Sequence, residues 1–316
     1  MSPDVVASIK ARLLNQARKL EEEFQLYLVR YACERFLYRL GASPVRERCV
    51  VKGAALLTLW MPDPYRKTRD LDLGAAGMND EASLRELIAD VCAVECPEDG
   101  LVFDLGSLAV SPIRVEEENA GQRARLTARL GKAQIRFQVD FGFGDAVTPP
   151  PEEREFPTLL PGLPAPHVRA YRREVSIAEK FDAMVKLGLR NSRMKDFHDV
   201  WALSSKFAFE GPVLREALVA CFARRRAPWT ENPPDVLRSA FYQDGQPRAA
   251  WANYLTTGAF LHAPPTRFET IGERVLAFLG PVRESIVADT EFEVQWPAGG
   301  LWQSGTGQRE RGEGNV

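Results

Sequence analysis

Two aspartates separated by one leucine constrain the fold of this chain more than any other feature. Asp70 and Asp72 alternate with Leu71 and Leu73, and this alternation is typical of a β-strand with one buried face. In such a strand both carboxylates project to the same side. Like charges held together repel each other unless a cation lies between them, and Mg²⁺ prefers several oxygen ligands. The segment therefore predicts either a metal-binding strand or a solvated strand edge without such a role.

The residues before this strand favour the metal-binding interpretation. Arg48-Cys49-Val50-Val51 is typical of a short buried strand, and Lys52-Gly53-Ala54-Ala55 has the composition of a tight turn. Strong helix formers follow over residues 54–60. The free N–H groups at the start of a helix bind phosphate well. We therefore expect a phosphate-binding turn and the two carboxylates on neighbouring strands.

The length and residue pattern predict two domains and a tail. A chain of 316 residues exceeds one typical domain. Helical spacing before residue 40 and short alternating strands from residue 101 to residue 143 predict an α+β fold for residues 1–150. A proline-rich stretch over residues 148–166 then predicts a linker into a mostly helical domain over residues 151–302. Residues 303–316 lack apolar content and are predicted to be disordered.

Composition bounds the compartment and the partners. The net charge is −2, so contact with nucleic acid would need a local basic patch. We find no signal peptide and no apolar run long enough for a membrane span. The five cysteines suggest no pairing framework, and only three histidines are available for a zinc site. These observations predict a cytoplasmic protein without membrane partners.

A third carboxylate lies on the polar side of the last predicted strand. Residues 134–143 alternate strictly, and Asp140 falls among the polar positions. From there it could join Asp70 and Asp72 as a third metal ligand. The alternative is a solvent-facing aspartate near the end of a strand.

A second group of charged residues lies in the C-terminal half. Lys180 falls within a helix predicted over residues 172–189, and Asp196 and Asp199 share a face of the next helix. A flexible lysine suits the charge of a triphosphate. The alternatives are a solvated lysine paired with a nearby glutamate and a first-turn carboxylate favoured by the helix dipole.

Four segments together resemble the AbiEii/AbiGii family of nucleotidyltransferases, the toxin components of bacterial type IV toxin–antitoxin systems, which include the MenT-like toxins. The resemblance rests on Lys52-Gly53-Ala54-Ala55-Leu56, Arg69-Asp70-Leu71-Asp72-Leu73, Glu179-Lys180 and the run from Arg190 to Asp199. It implies a polymerase-β-like nucleotidyltransferase core, in which helices flank a mixed sheet, with a C-terminal helical domain.

The resemblance also implies roles for individual residues. Asp70 and Asp72 resemble the metal-binding pair, Lys180 the lysine that engages the nucleotide, and Asp196 the acidic residue of a later motif, with Asp199 as the fallback. Lys52, Gly53 and Arg69 match positions near the nucleotide, and Arg193 is a weaker candidate. The family usually carries Gly-Gly-Thr or Gly-Gly-Ser after the lysine, whereas Gly53-Ala54-Ala55 lacks the hydroxyl.

The function implied is that of a toxin that transfers NMP from an NTP to an acceptor with Mg²⁺. The resemblance implies RNA as the acceptor, with the tRNA 3′ end known for some members, a cognate antitoxin as partner and a role in phage defence. The triplet Arg224-Arg225-Arg226 would then bind RNA phosphates or form a solvated helix end. Two alternatives stay open: a catalytically silent binding protein with the same core, and a small-molecule nucleotidyltransferase of the antibiotic-modifying type.

Overall fold

The chain divides into two compact units. The computed structural model describes residues 3–61, 66, 70–77, 79–113, 121–144, 147–258 and 260–304. The first unit comprises residues 1–172 together with 259–262, and the second comprises residues 173–258 together with 263–316.

The first unit is built on a mixed sheet with helices against it. Its described helices are α1 (Pro3–Lys19), α2 (Phe24–Ala42), α3 (Ala55–Trp60) and α4 (Glu81–Ala93). Its described strands are β1 (Cys49–Lys52), β2 (Leu71–Ala75), β3 (Leu101–Pro112), β4 (Gln122–Leu130), β5 (Ala133–Phe143), β6 (Glu152–Glu155) and β7 (His167–Ala170). The order in the sheet is β3-β4-β5-β2-β1-β7-β6. The pairs β2–β5 and β1–β7 are parallel and the other pairs are antiparallel.

The second unit is mostly helical. Its described helices are α5 (Arg173–Leu187), α6 (Met194–Lys206), α7 (Gly211–Arg224), α8 (Ser239–Gln243), α9 (Gly245–Thr257) and α10 (Phe268–Val287). The short strands β8 (Phe209–Glu210), β9 (Val294–Trp296) and β10 (Gln303–Ser304) form a small antiparallel sheet. The predicted fold class, a mixed sheet flanked by helices followed by C-terminal helices, is confirmed.

Alternating side chains explain why one face of the large sheet is buried. In β5, Ile135, Phe137, Val139 and Phe141 are buried, whereas the polar residues between them stay at least partly accessible. Phe36 of α2 packs on this apolar face, with its ring centroid 5.9 Å from that of Phe137. The helices therefore cover one face, and the polar positions of the strands lie on the other.

Two segments differ from the prediction for physical reasons. The structure has one long strand, β3, where two short ones were predicted, because a bulge between Asp104 and Ala109 lets the chain continue along β4. The Ser107 hydroxyl stabilises the bulge by donating to the Asp104 carbonyl (2.6 Å) and accepting from the Thr127 N–H (2.9 Å).

The proline-rich stretch predicted as a linker contains β6 and leads directly into β7, and both strands belong to the large sheet. The first compact unit therefore extends to Arg172 instead of residue 150. Because β6 is an exposed edge strand of charged residues, it carries no hydrophobic alternation that a sequence pattern could reveal. At the C-terminus, Gln303 and Ser304 form β10, and the rest of the predicted disordered tail lies outside the described residues.

The sequence contains no apolar run that predicts a membrane span. No helix in the described ranges is long and apolar enough to cross a bilayer. The predicted cytoplasmic location stays a prediction.

A buried ion pair joins α2 to the start of β3. Arg39 donates to both carboxylate oxygens of Asp99, at 2.6 and 3.2 Å, and the Asp99 side chain is fully buried. The Leu101 N–H donates to the same carboxylate (2.9 Å), and the Tyr31 hydroxyl donates to the Asp99 carbonyl (2.8 Å). The charges are thus compensated within the core.

Substitution of Asp99 should destabilise the protein strongly. Asp99→Ala leaves the Arg39 charge buried without its partner, and the expected loss in the free energy of unfolding is about 3–5 kcal/mol. Urea unfolding followed by circular dichroism measures this loss. Glu81→Ala, which breaks the exposed Arg85–Glu81 pair, should cost less than about 1 kcal/mol. Equal losses in the two variants would contradict the role of the buried pair.

Candidate active site

Four charged side chains form a row across the middle of the large sheet. Lys52 of β1 is the register partner of Asp72 of β2, Asp72 is the partner of Asp140 of β5, and Asp140 is the partner of Arg123 of β4. Register partners project to the same face of a sheet. All four residues are partly exposed. The row, hereafter the charged row, therefore places two adjacent carboxylates between two cations.

Arg123 holds Asp140 in a bidentate pair. Its Nε donates to Oδ1 at 2.7 Å and its Nη2 donates to Oδ2 at 2.6 Å, a geometry that is strong and directional. The hydrogen bonds to Asp140 raise the pKa of Arg123, and the negative charges of Asp140, Asp70 and Asp72 raise it further. The three carboxylates predicted as metal ligands thus act on one guanidinium group.

The glycine turn after β1 is shaped around Asp72. Gly53 has a positive φ of +65°, which favours glycine, and a Cβ at this position would overlap the Oδ2 atom of Asp72. The Asp72 carboxylate therefore lies directly against the turn predicted to hold phosphates. The predicted order of strand, turn and helix is confirmed, with β1 ending at Lys52 and α3 beginning at Ala55.

Two paired glycines make room beside the carboxylates. Gly142 of β5 is the register partner of Gly74 of β2, two residues beyond Asp140 and Asp72. A Cβ at Gly142 would lie 2.5 Å from the Lys52 Nζ atom. The Lys52 ammonium group therefore extends over Gly142, where it offers a positive charge beside the two carboxylates.

A pocket opens beside Asp70. Asp70 is exposed and directly precedes β2. The pocket has an empty volume of about 480 Å³, and its lining includes Cys33, Leu37, Ala55, Asp70, Leu71 and Phe156. Thr58 of α3 contributes a hydroxyl to this lining. Burial raises the pKa of Cys33 to about 12, so its thiol stays neutral at physiological pH. The pocket thus offers mostly apolar walls, and its charged lining residues are Arg30, Glu34 and Asp70.

The predicted residues of the C-terminal half form one cluster in the second unit. The Lys180 Nζ atom lies 2.5 Å from the Asp199 Oδ2 atom and 3.3 Å from the Asp196 Oδ1 atom. The Nε of Arg193 donates to the other oxygen of Asp196 at 2.7 Å. Both carboxylates are 1% exposed. Lys180 is therefore held by two buried aspartates, whereas the alternative interpretation expected a solvated lysine paired with a glutamate.

A neighbouring ion cluster accounts for part of the arginine triplet. Arg224 donates to Glu179 at 3.1 Å, and Arg225 donates to Asp182 at 2.8 Å. These pairs connect the end of α7 to α5. The arginines are therefore already compensated within the second unit, which neither the phosphate-binding nor the solvated-end interpretation of the triplet expected.

Sequence reasoning missed Arg123. It occupies a polar position of β4, but its partnership with Asp140 depends on strand register, which no local pattern gives. The remaining predicted nucleotide contact, Arg69, lies outside the described residues.

A Mg²⁺ site requires oxygen ligands that lie close together. Within the described ranges, no three carboxylate, imidazole or thiolate side chains lie close enough together to hold a metal ion. Two carboxylates suffice for Mg²⁺ because it keeps waters and substrate phosphates in its remaining positions. Asp72, which fills the space above Gly53, and its register partner Asp140 supply oxygen ligands of this kind.

Gly53→Ala should disturb the carboxylate without unfolding the protein. The added methyl group strains the turn and displaces Asp72. Gly162→Ala is the matched control, because Gly162 also has a positive φ (+84°) but has open space around its Cβ position. Each variant should lose about 1–2 kcal/mol of stability. Only Gly53→Ala should lose the Mg²⁺-dependent increase in Tm. A normal Mg²⁺ response in Gly53→Ala would contradict the placement of the metal at Asp72.

Comparisons with known proteins assign the family. The family model of the nucleotidyl transferase AbiEii toxin, type IV toxin–antitoxin system, matches residues 35–274. A candidate nucleotidyltransferase from H. pylori, known from a crystal structure, is 14% identical with a TM-score of 0.44, covering 92% of this chain and 100% of that one. The crystal structure of JHP933 from Helicobacter pylori is 13% identical with a TM-score of 0.43, covering 81% and 90%. A comparison with curated proteins gives no significant match. Because the family model matches more than half of this chain, the chain belongs to the AbiEii family of nucleotidyltransferase toxins.

Proposed function

We propose that this nucleotidyltransferase uses Mg²⁺ to transfer NMP from an NTP to a hydroxyl group of RNA, with the tRNA 3′ end as the favoured acceptor. The observation that carries the proposal is the pairing of Asp72 with Asp140 in the charged row. Two adjacent carboxylates are costly unless they serve a cation. The family assignment supports the reaction type, and the toxin family implies an antitoxin as a further partner.

The carboxylates near the glycine turn would hold the metal. Asp70 and Asp72 are the proposed ligands. Asp140 is the proposed third, and it would have to move toward them, because no three such side chains among the described residues lie close enough together to hold a metal ion. When bound, Mg²⁺ neutralises phosphate charge and polarises the transferred phosphoryl group. Since Arg123 fixes both oxygens of Asp140, we propose that Arg123 orients this carboxylate and limits the negative charge around it.

The proposed step forms one phosphodiester bond and breaks one phosphoanhydride bond. The acceptor hydroxyl oxygen attacks the α-phosphorus, the bond from that phosphorus to the bridging oxygen breaks, and pyrophosphate leaves. The hydroxyl proton would pass to a carboxylate, for which Asp140 is the candidate in the first unit. Lys52 would offset charge on the phosphates, because its ammonium group lies over Gly142 beside the charged row. The protein thus contributes by positioning the acceptor and the NTP and by stabilising the charge on the phosphates.

The pocket beside Asp70 supports nucleotide binding. The mostly apolar walls of this pocket suit a flat base. The family usually has a Thr or Ser after the glycines, where this chain has Ala55 at the start of α3. The Thr58 hydroxyl, on the same helix and in the pocket lining, offers a polar contact instead.

Lys180 is the proposed nucleotide contact of the second unit. Asp196 and Asp199 would hold its ammonium group in a fixed position, and Arg193 would hold Asp196. Fixing a flexible side chain beforehand reduces the entropy lost on binding.

A test of the metal site compares two aspartates on the same sheet. Asp72→Asn should lower Mg²⁺-dependent incorporation of labelled NMP into total RNA by at least about 100-fold, because it removes a metal ligand. The control is Asp104→Asn, which breaks the exposed pair between Asp104 and Arg129 (2.5 Å) and should leave the rate near wild type. Full activity of Asp72→Asn would contradict the proposed site.

The same assay separates the two other functions. The absence of a hydroxyl in Gly53-Ala54-Ala55 favours a silent binding protein. That function predicts binding of Mg²⁺ and NTP without incorporation by the wild type. A small-molecule transferase predicts labelling of an aminoglycoside and none of RNA.

Lys180 requires variants that separate activity from stability. Lys180→Ala leaves two buried carboxylates without this cation, so a loss of about 3–5 kcal/mol in the free energy of unfolding is expected. Lys180→Arg keeps the charge but replaces the compact ammonium group. We expect it to retain most of the stability while NMP transfer falls at least about tenfold. Normal transfer by Lys180→Arg would indicate that the cluster is only structural.

A further inference from the structure

The accessible side of β4 and β5 forms a basic surface that begins at the charged row. Alternate residues of both strands are buried in the core, and the others are at least partly exposed. These exposed positions, hereafter the arginine face, are Arg123, Arg125, Thr127 and Arg129 of β4 and Gln134, Arg136, Gln138 and Asp140 of β5.

The arginine face carries positive charge that no acidic residue in the described part of the chain fully balances. Four of its eight residues are arginines and one is an aspartate. Arg123 pairs with Asp140 and Arg129 pairs with Asp104. Neither Arg125 nor Arg136 forms an ion pair with any residue that the structure describes. The whole chain has a net charge of −2, so the positive charge of this surface is local and is not a consequence of a basic composition. Such a surface attracts an anionic partner.

Strand register places the cations along a path that leads away from the carboxylates. Arg125 is the register partner of Gln138, and Arg136 is the partner of Thr127. Residues two apart on one face are separated by about 6.8 Å along the strand. Arg136 therefore lies about 14 Å from Asp140 along β5. The path is long enough for several nucleotides, with one end at the proposed site of chemistry.

The chemistry of the face favours contacts with a sugar–phosphate backbone. None of its eight residues is aromatic, so it offers no platform for stacking bases. Arginines bind phosphates, and the amides of Gln134 and Gln138 can both donate to phosphate oxygens and bond to a ribose 2′-hydroxyl. Binding of this kind is tolerant of sequence and sensitive to salt.

We propose that the arginine face binds the phosphate backbone of a single-stranded RNA end and leads its terminal hydroxyl to the charged row. The inference rests on the proposed function, since it assigns where the acceptor lies. An acidic protein would also match the charge. RNA fits better because the face is continuous with the carboxylates where the acceptor hydroxyl must react.

The test measures RNA binding directly, apart from transfer. Fluorescence anisotropy with a labelled single-stranded RNA of mixed sequence gives Kd as a function of salt for the full chain. In Arg125→Glu/Arg136→Glu, Kd should rise at least about tenfold, and the slope of log K against log salt should fall by about 1.4, for two lost phosphate contacts. Arg125→Gln/Arg136→Gln should show a smaller rise.

The control makes the same change of charge elsewhere in the first unit. Lys10→Glu/Arg18→Glu alters exposed residues of α1, which packs against α2 on the helical side, and should bind RNA as the wild type does. Unchanged unfolding free energies in all variants exclude misfolding as the cause.

Several results would overturn the inference. These are unchanged RNA affinity in the double glutamate variant, equal weakening in the α1 control, and equal affinity of the wild type for duplex and single-stranded RNA. Normal RNA binding by the glutamate variant would indicate that the arginine face binds an acidic protein instead of RNA. RNA binding through this face without any NMP transfer would contradict the proposed function but not the surface.

Discussion

The repulsion between Asp72 and Asp140 is the constraint on which the first unit depends. Their parallel register places two carboxylates on adjacent strands. At about 5 Å and an effective dielectric constant of about 20, two such charges repel by about 3 kcal/mol. Arg123 offsets one of them by a bidentate pair, and Lys52 lies on the other side of Asp72. The two cations balance the formal charge of the two carboxylates, so a divalent cation would be held here together with the phosphates of a nucleotide, which add negative charge of their own.

The same constraint explains the glycines and the uneven distribution of arginine. Gly53 lets the chain turn beside the Asp72 carboxylate, and Gly142 leaves space for Lys52. Along β4, polar positions carry arginine, so positive charge continues outward from the charged row. In the second unit the same principle applies at a buried site, where Lys180 and Arg193 compensate two aspartates. Both units therefore use paired charges to fix the side chains for which roles in the reaction are proposed.

Local sequence patterns predict much of the fold and of the charged row. They do not predict the contacts that depend on strand register. The alternation around Asp72, the turn at Gly53 and the strand ending near Asp140 were sufficient to predict three members of the charged row. Arg123 was missed because its partner is 17 residues away across a hairpin. The edge strand β6 was missed because four consecutive charged residues, three of them exposed, resemble a loop. The bulge in β3 was missed because one of the two hydrogen bonds of Ser107 that stabilise it comes from Thr127 of the neighbouring strand.

The central claim is that Asp72 and its neighbours hold the divalent metal of the reaction. Anomalous diffraction from Mn²⁺ in crystals grown with a non-hydrolysable NTP tests it most directly. The account predicts a Mn²⁺ peak about 2.1 Å from a carboxylate oxygen of Asp72, with the triphosphate on the Lys52 side of the charged row. A bound nucleotide whose metal lies away from Asp70, Asp72 and Asp140 would contradict it.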